Sequence, residues 1–268
     1  MSAPKDKSRM SVSAIVPIYC EERTVKDVVA KLIESPLIDE VICVDDASDD
    51  GSLKILKSFK DRIEIVRHKR RMGKGAALAS GVKKAEGDIV CFFDADLLNL
   101  SETHIKDLLN PIVNGKAQSV IGYPQVYYEG FASWSGERAY FRKDLLPYLK
   151  KMSKAGFGVE IYLNEIFKDK TLLVPLKNLR GYYKSQKFSP DKALKEYIKL
   201  VLEVTRVKAK LLGLDSKEIE KTLKLLKSKT VKEVKEKASF ISDKRLKNFV
   251  KRNILKYYDF FQRQLHFK

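Results

Sequence analysis

Two hydrophobic patterns alternate along the first part of the chain. Nearly continuous apolar runs predict strands that are buried on both faces. Segments whose apolar positions recur every three to four residues predict amphipathic helices between them. The strands are SAIVPIY at 13–19, EVICVDD at 40–46, IEIVRH at 63–68 and DIVCFFDAD at 88–96, and the helices are TVKDVVAKLIES at 24–35, GSLKILKSF at 51–59 and GKGAALASGVKKA at 73–85. This repetition predicts an α/β fold, with a mostly parallel sheet and helices on both of its faces.

Beyond residue 100 the order of elements is less regular, and the pattern ends in helices. It predicts helices at 101–115, 137–152 and 158–169, strands at 118–124 and 172–176, and only helices from residue 190 onward. The loop at 124–135 carries the aromatic side chains of Tyr127, Tyr128, Phe131 and Trp134. We expect a mobile loop near an acceptor there, with packing against nearby helices as the alternative.

Acidic residues follow three of the four predicted strands in the first part. They are Glu21 and Glu22 after the first strand, Asp45 and Asp46 after the second, and Asp94 and Asp96 after the fourth. The carboxyl ends of parallel strands share one edge of the sheet, and ligands of such sheets bind at that edge. Any one pair can instead cap a helix, but three pairs together favour a binding site.

The spacing of Asp94 and Asp96 suits a hard divalent cation. One carboxylate can bind the metal directly while the other binds a sugar hydroxyl or a metal-bound water. Mg²⁺ or Mn²⁺ held in this way ties up the two phosphates of a nucleotide diphosphate, which can then depart. A D-x-D pair is common by itself, so its meaning depends on its neighbours.

Four segments give the pair its context. IVPIYCEE, VICVDDASDDGS, RMGKGAALASG and GDIVCFFDADLL occur in this order over about residues 11 to 125. Together they resemble the glycosyltransferase family 2 domain, and this resemblance implies the Rossmann-like GT-A fold of nucleotide-diphospho-sugar transferases. Family members usually have Asn where Cys20 stands and Gly where Ala47 stands, so both positions depart from the pattern beside the expected nucleotide site.

The resemblance also implies roles for matching residues. Pro17, Tyr19 and Glu21 would frame the base and ribose, and Asp45 or Asp46 would accept a hydrogen bond from the base. Lys74 would meet phosphate at a helix start, although turn geometry alone also accounts for its flanking glycines. Asp94, Ala95 and Asp96 would line the diphosphate, with Asp96 as the preferred direct metal ligand.

The acceptor half is implied by two later segments. SGERAYFRKDLLPYL and GFGVEIYLNEIF resemble family 2 enzymes that act on polyprenyl phosphates, and the second also resembles glucosyl-3-phosphoglycerate synthase. Glu137 and Glu160 are the candidates for acceptor binding or for a general base. A phosphate acceptor needs cations in place of a base. The candidate cations are Arg138, Arg142, Arg180, Lys184 and Lys187.

The resulting prediction is a metal-dependent transferase that moves a hexose from a UDP- or GDP-sugar to a phosphate-bearing or polyprenyl-phosphate acceptor, with inversion. A retaining enzyme similar to glucosyl-3-phosphoglycerate synthase is the alternative within the same fold. We expect a disordered tail at 1–10, the GT-A domain at 11–185 and a basic helical extension at 186–268.

The charge is concentrated in the extension. Its 23 basic and 10 acidic residues carry +13 of the net +18. This excess favours a polyanionic partner. A nucleic-acid-binding module is therefore the alternative from another class, but it gives no reason for Asp94 and Asp96. The amphipathic helix at 244–265 is expected to pack on the domain or to lie on an anionic membrane, with oligomerisation as a third option.

The three cysteines, Cys20, Cys43 and Cys91, lie in or beside apolar runs without a C-x-x-C spacing. They are predicted to be reduced core residues. The first ten residues are polar, and no apolar stretch reaches the ~20 residues needed to span a bilayer. We therefore expect a cytoplasmic protein that contacts the membrane peripherally at most.

Overall fold

The computed structural model describes residues 9–125, 132, 134–182, 186, 189–226 and 231–255. The chain divides into two compact units, Met1–Gly156 with Leu163–Gly181, and Phe157–Tyr162 with Tyr182–Lys268. Several predictions fall outside the described residues. They concern the tail up to residue 8, the aromatic residues Tyr127, Tyr128 and Phe131, the cations Lys184 and Lys187, and the last helix after residue 255.

The first unit contains a seven-stranded sheet with the order β3-β2-β1-β4-β6-β5-β7. Strands β1 to β4 are parallel, β6 is antiparallel to both of its neighbours, and β5 and β7 are parallel to each other. The predicted mostly parallel sheet is confirmed. The strands are β1 Val12–Ile18, β2 Glu40–Asp45, β3 Glu64–Arg67, β4 Ile89–Phe92, β5 Ser119–Pro124, β6 Arg138–Phe141 and β7 Thr171–Leu176.

Helices cover both faces of this sheet, as the alternation of side chains along β1 illustrates. Val16 and Ile18 belong to the core cluster that includes α1 and α4, while Ile15 points to the other face and contacts Gly81 of α3. A Cβ added at Gly81 would lie 2.4 Å from an Ile15 methyl carbon, so only glycine lets α3 approach so closely. The helices before residue 170 are α1 Val25–Glu34, α2 Ser52–Ser58, α3 Lys74–Lys84, α4 Glu102–Val113, α5 Arg142–Leu145, α6 Leu149–Met152 and α7 Val159–Phe167, with short 3₁₀ turns at Lys60–Arg62, Leu146–Tyr148, Gly156–Gly158 and Lys168–Lys170. Of these, α7 is divided between the two units.

The predicted helix at 137–152 is wrong at its start, because Arg138–Phe141 form β6. This strand pairs with β4 and β5, and a helical period in the local sequence does not register such long-range pairing. The helix predicted at 101–115 is present as α4. His104 stands where a capping box usually has Glu or Gln. Its ring nitrogen Nδ1 accepts the Ser101 N–H at 3.2 Å, so the box is complete.

The second unit is helical, as predicted for the extension. Its helices are α8 Pro190–Leu211, α9 Ser216–Leu226, α10 Val231–Ser239 and α11 Lys244–Val250, followed by a π-helical turn at Lys251–Leu255. The predicted apolar face near the C-terminus is turned inward, because Leu246, Phe249, Val250 and Ile254 are buried. None of the helices described in either unit is long and apolar enough to cross a membrane.

Cys43 and Cys91 are fully buried in the core, and Cys20 is partly exposed in the loop after β1. Burial raises the pKa of both core thiols far above the ordinary value, which keeps them protonated. All three cysteines are free thiols, but the prediction that Cys20 belongs to the core is wrong, because this residue lies in a partly exposed loop.

Candidate active site at the carboxyl edge of the sheet

Two loops at the carboxyl ends of β1 and β2 are fastened to each other. The Cys20 N–H donates to Ser48 Oγ at 3.0 Å, and the Glu21 N–H donates to Ser52 Oγ at 2.9 Å. Glu22 Oε2 accepts the Gly51 N–H at 2.8 Å. The acidic residues after these two strands therefore lie beside each other, as their positions in the sequence predict.

Both loops contain one residue with left-handed backbone. Cys20 has φ 57° and Ala47 has φ 61°, a region that Gly and Asn adopt far more readily than other residues. These are the two positions where the sequence departs from the family pattern. At position 47 the departure puts a Cβ on a residue with left-handed backbone, and at position 20 it replaces Asn, which tolerates this region, with Cys.

Asp45 is a buried carboxylate with an acceptor position to spare. Its Oδ1 accepts the Ser48 N–H at 3.1 Å. Its Oδ2 is buried and has no hydrogen-bond partner among the described residues. Arg67 Nε lies 3.3 Å from this oxygen, in a geometry that makes an ion pair but no hydrogen bond. Buried acceptors are nearly always paired, so this oxygen is suited to an N–H group of a ligand.

Asp46, in contrast, is engaged in holding the next loop. Its Oδ1 lies 2.7 Å from His68 Nδ1 and accepts the Met72 N–H at 2.8 Å, and its Oδ2 accepts the Gly73 N–H at 2.7 Å. His68 continues the network to Ser80 Oγ at 2.9 Å. The sequence leaves open which of the two aspartates meets a base; these contacts favour Asp45 and give Asp46 a structural role.

The Gly-Lys-Gly turn leads from this network into α3. Gly73 has φ +93°, which favours glycine, and a Cβ on Gly75 would lie 2.2 Å from the carbonyl oxygen of Met152. The backbone geometry and packing therefore explain why both positions are glycine. These glycines fix Lys74 as the first residue of α3, where the helix dipole favours an anion.

Lys74 and Asp94 form the central ion pair of the site. Lys74 Nζ lies 2.6 Å from Asp94 Oδ1, with 14% of the lysine side chain and 30% of the aspartate side chain exposed. Asp94 follows β4 and also contacts the backbone of Gly136, where an added Cβ would lie 2.3 Å from Asp94 Oδ2. Gly136 is thus a site residue that the sequence analysis missed.

The other two residues of the D-x-D segment extend along the same edge. Ala95 is buried, and Asp96 is partly exposed, with its Oδ1 close to Gly181. No group of three or more His, Cys, Asp or Glu side chains that could hold a metal ion occurs in the described part of the chain. Two carboxylates nevertheless fit Mg²⁺ or Mn²⁺ when phosphate oxygens and waters complete the shell, because these ions commonly bind in that way.

Glu137 is buried directly before β6. Ser135 Oγ donates to its Oε2 at 2.5 Å. Burial, and secondarily the nearby Asp94 carboxylate, raise the pKa of Glu137 to about 7, against the weaker lowering effects of Ser135 and Lys74. A carboxyl group that titrates near neutrality beside the D-x-D pair has the properties of a general base or of a charge-sensitive positioning residue.

The Tyr19 ring carries a guanidinium on one face. Arg71 Cζ lies 3.8 Å from the ring centroid, a cation–π distance. Burial raises the pKa of the Tyr19 hydroxyl, and Arg71 partly opposes that shift. Arg71 is a second residue that the sequence analysis missed, although its place two positions before Gly73 is a usable signal. Pro17 is half-buried within β1, paired with Val44 of β2.

The predicted acceptor cations do not all lie where the prediction needs them. Arg138 is 1% exposed and donates to Ser135 O, Tyr140 Oη and Asn164 Oδ1. Its guanidinium is therefore bound to interior groups and does not face an acceptor. Arg142 lies at the opposite edge, where its N–H donates to the Asp88 carbonyl before β4. Both corrections follow from β6 being a strand, because its first residue, Arg138, is buried in the sheet and its last residues run to the amino edge.

Two more of the residues predicted to meet the acceptor are described, the cation Arg180 and the carboxylate Glu160. Arg180 lies beside the D-x-D loop, since its carbonyl accepts the Leu98 N–H at 2.9 Å and its own N–H donates to Asn99 Oδ1 at 2.8 Å. Glu160 is buried in the first turn of α7, in the part of that helix that belongs to the second unit. Its role as an acceptor ligand or base remains a prediction.

Known proteins resemble this chain in sequence and in fold. A family model described as glycosyl transferase family 2 matches residues 13–189. The UDP-N-acetylglucosamine–dolichyl-phosphate N-acetylglucosaminyltransferase of Methanococcus voltae is 31% identical over 126 residues, which cover 40% of this chain and 49% of that protein. The glucosyl-3-phosphoglycerate synthase of Mycobacterium tuberculosis is 27% identical over 124 residues, covering 43% of this chain and 38% of the synthase.

The solved structure of that synthase with Mn²⁺, UDP and glucosyl-3-phosphoglycerate matches with a TM-score of 0.61 and 23% identity, over 78% of this chain and 82% of the other. The fold is therefore that of the GT-A nucleotide-diphospho-sugar transferases. Since the family model covers more than half of its residues, the chain belongs to glycosyl transferase family 2. It spans less than half the length of the curated relatives named above.

Proposed function

We propose that this chain is a metal-dependent glycosyltransferase that moves a hexose from a UDP- or GDP-sugar to a phosphate-bearing or lipid acceptor. The observation that carries the proposal is the grouping at one sheet edge. A buried acceptor oxygen on Asp45, a lysine at a helix start and the Asp94–Asp96 pair lie there together. These are the groups that a base, a diphosphate and a divalent cation require.

At the base end, Asp45 Oδ2 would accept a ring N–H of uracil or guanine, which both carry such a donor. Tyr19 and Pro17 would flank the base and ribose, with Arg71 covering one face of the tyrosine ring. Glu21 would line the ribose from the loop that follows β1. Asp46 keeps its contacts with the Gly73 turn when nucleotide binds, because those contacts position Lys74.

At the diphosphate end, Asp94 and Asp96 would hold Mg²⁺ or Mn²⁺, with Asp96 as the direct ligand. A bound cation of this kind neutralises the charge that develops on the departing diphosphate. Lys74 would then exchange its contact with Asp94 for one with a phosphate oxygen, and Ala95 leaves room for the diphosphate. Related synthase structures contain Mn²⁺ or Mg²⁺ together with UDP, which supports this choice of cofactor.

The acceptor is the less specified half. One relative is named for a dolichyl phosphate acceptor and the other for a phosphoglycerate, so both support a phosphate-bearing acceptor. Inversion by direct attack is our first choice, with Glu137 holding or accepting a proton when the acceptor is a hydroxyl. Retention of the anomeric configuration is the alternative. The fold that this chain shares with the synthase supports this alternative. Glu160 is the second candidate for acceptor binding.

Calorimetric titration of UDP and GDP, each with and without Mn²⁺, tests the donor site. We expect metal-dependent binding of one nucleotide that is lost in Asp96→Asn and retained in the matched control Asp61→Asn, whose carboxylate is exposed in a 3₁₀ turn. Failure of both nucleotides to bind would refute the proposal. A panel of nucleotide sugars, followed by NMR of the product anomer, then identifies the donor and decides between inversion and retention.

A nucleic-acid-binding module is the candidate from another class, and its only support is the net charge of +18. It predicts binding to duplex DNA that weakens steeply with salt and is indifferent to Asp96→Asn. Nucleotide binding that requires Asp96 would favour the transferase over this alternative.

A further inference from the structure

Three large apolar side chains are exposed at helix ends in the described part of the second unit. Leu211 and Leu212 end α8 and are 39% and 58% exposed, and Phe240, directly after α10, is 81% exposed. We refer to these three residues as the apolar tip. A phenylalanine this exposed is unusual on a surface otherwise rich in lysine, because apolar side chains of its size are normally at least partly covered.

The start of α11 joins the two parts of the tip. Arg245 Nη2 donates to the carbonyl of Leu212 at 3.4 Å, and Lys247 Nζ donates to the carbonyl of Ser239, next to Phe240, at 2.9 Å. Both contacts lie within the second unit. Leu212 and the residue before Phe240 therefore both contact the start of α11, although they are separated along the chain.

The segments around the tip carry a net positive charge. The segments 208–218 and 235–252 contain ten Lys and Arg residues and four acidic residues, and two of the acidic residues, Asp215 and Asp243, accept N–H groups at the starts of α9 and α11. Lys210, Lys244, Arg245 and Lys247 are exposed in these segments. We refer to these four residues as the basic rim. Protruding Phe and Leu side chains within a Lys/Arg rim match an anionic bilayer, which takes apolar groups below its headgroups and attracts the cations.

We propose that the apolar tip and the basic rim form a docking surface for an anionic lipid bilayer. The surface is distinct from the amphipathic face of α11, whose Leu246, Phe249 and Val250 are buried. It requires no lipid-linked substrate, so its test is independent of the donor and acceptor assigned above. Charge complementarity selects this occupant over a second copy of the chain, because two such positive tips repel each other.

Vesicle co-sedimentation of the full chain tests the surface. We expect binding to vesicles of phosphatidylcholine with phosphatidylglycerol, little binding to phosphatidylcholine alone, and weakening with salt. Phe240→Ala should reduce the partition coefficient about tenfold, and Lys244→Ala about fivefold. The matched control is Val113→Ala, which trims a 47% exposed apolar residue of the first unit and should leave binding unchanged.

Thermal unfolding of each variant checks that the fold is intact, which the exposure of Phe240 leads us to expect. The proposal is overturned if the wild-type chain ignores anionic vesicles. It is also overturned if Phe240→Ala and Val113→Ala bind as tightly as wild type. Self-association that needs Phe240 in the absence of lipid, together with no vesicle binding, would likewise refute it by assigning the surface to a second copy.

Discussion

The left-handed backbone at Ala47 leads to a quantitative prediction about stability. Ala47 has φ 61°, and the turn that imposes this value brings the Ser48 N–H to Asp45 Oδ1 at 3.1 Å. A left-handed backbone conformation costs about 1–2 kcal/mol for a residue other than Gly or Asn. Ala47→Gly removes that cost but gives the unfolded chain more freedom, which offsets about 0.4–1 kcal/mol. The expected net result is a gain of roughly 0.5–1 kcal/mol in the free energy of unfolding.

Urea unfolding followed by circular dichroism measures this gain. Ala30→Gly is a matched control, because the same chemical change in the interior of α1 should lose about 1 kcal/mol. Opposite signs at the two positions would confirm the strain. If Ala47→Gly destabilises the protein as much as Ala30→Gly does, the left-handed geometry is not a source of strain and the reasoning fails.

The same reasoning extends to Cys20, which has φ 57°. Cys20→Asn restores the residue usual in the family, and Asn tolerates this region while offering a donor to Asp49, the present partner of the thiol at 3.0 Å. We expect a gain of several tenths of a kcal/mol. Because the Cys20 N–H is bonded to Ser48 Oγ, the two gains should not add fully in the double variant.

Three further predictions concern the carboxyl edge. Lys74→Met removes the cation paired with Asp94 and should weaken metal-dependent nucleotide binding about tenfold or more by calorimetry, with little loss of Tm. Gly136→Ala forces a Cβ against Asp94 and should lower both nucleotide affinity and Tm, whereas an unchanged affinity would show that Asp94 can move freely. Glu137 has its pKa raised from 4.5 to about 7, so in EDTA the wild-type protein should lose on the order of 3 kcal/mol of stability between pH 4.5 and pH 8 relative to Glu137→Gln. The loss runs in this direction because the folded state retains the proton that the unfolded chain releases first, and parallel pH curves for the two proteins would contradict it.

Local patterns were enough to predict the parallel part of the sheet and the grouping of acidic residues at its edge. β1, β2 and β4 are nearly continuous apolar runs, and the chain direction of parallel strands puts the carboxyl ends of β1 to β4 together. The prediction failed at β6, where the alternation of four residues competes with a longer helical period. The pairing of β6 with β4 and β5 is long-range and has no local signature.

The different contacts of Asp45 and Asp46 also could not be predicted from local patterns. Adjacent residues on a strand point to opposite sides, but the sequence does not reveal which side holds donors. Met72, Gly73 and His68 are 22 to 27 positions away from Asp46, and only the closed fold brings their N–H groups to it. Among the described residues Asp45 Oδ2 has an ion pair with Arg67 but no hydrogen-bond donor, so it can accept one from a ligand.

The second unit illustrates a different limit of the hydrophobic pattern. Periodicity correctly gave an amphipathic helix that begins at Lys244, but the same pattern describes a face packed inside a bundle and a face laid on a membrane. The structure buries Leu246, Phe249 and Ile254, so the packed alternative holds for the described turns of that helix. Phe240 belongs to no periodic pattern, because it stands alone after the end of a short helix. The proposed membrane contact at Phe240 therefore has no periodic signal in the sequence, and the apolar residues of the predicted helix after residue 255 lie outside the described part of the chain.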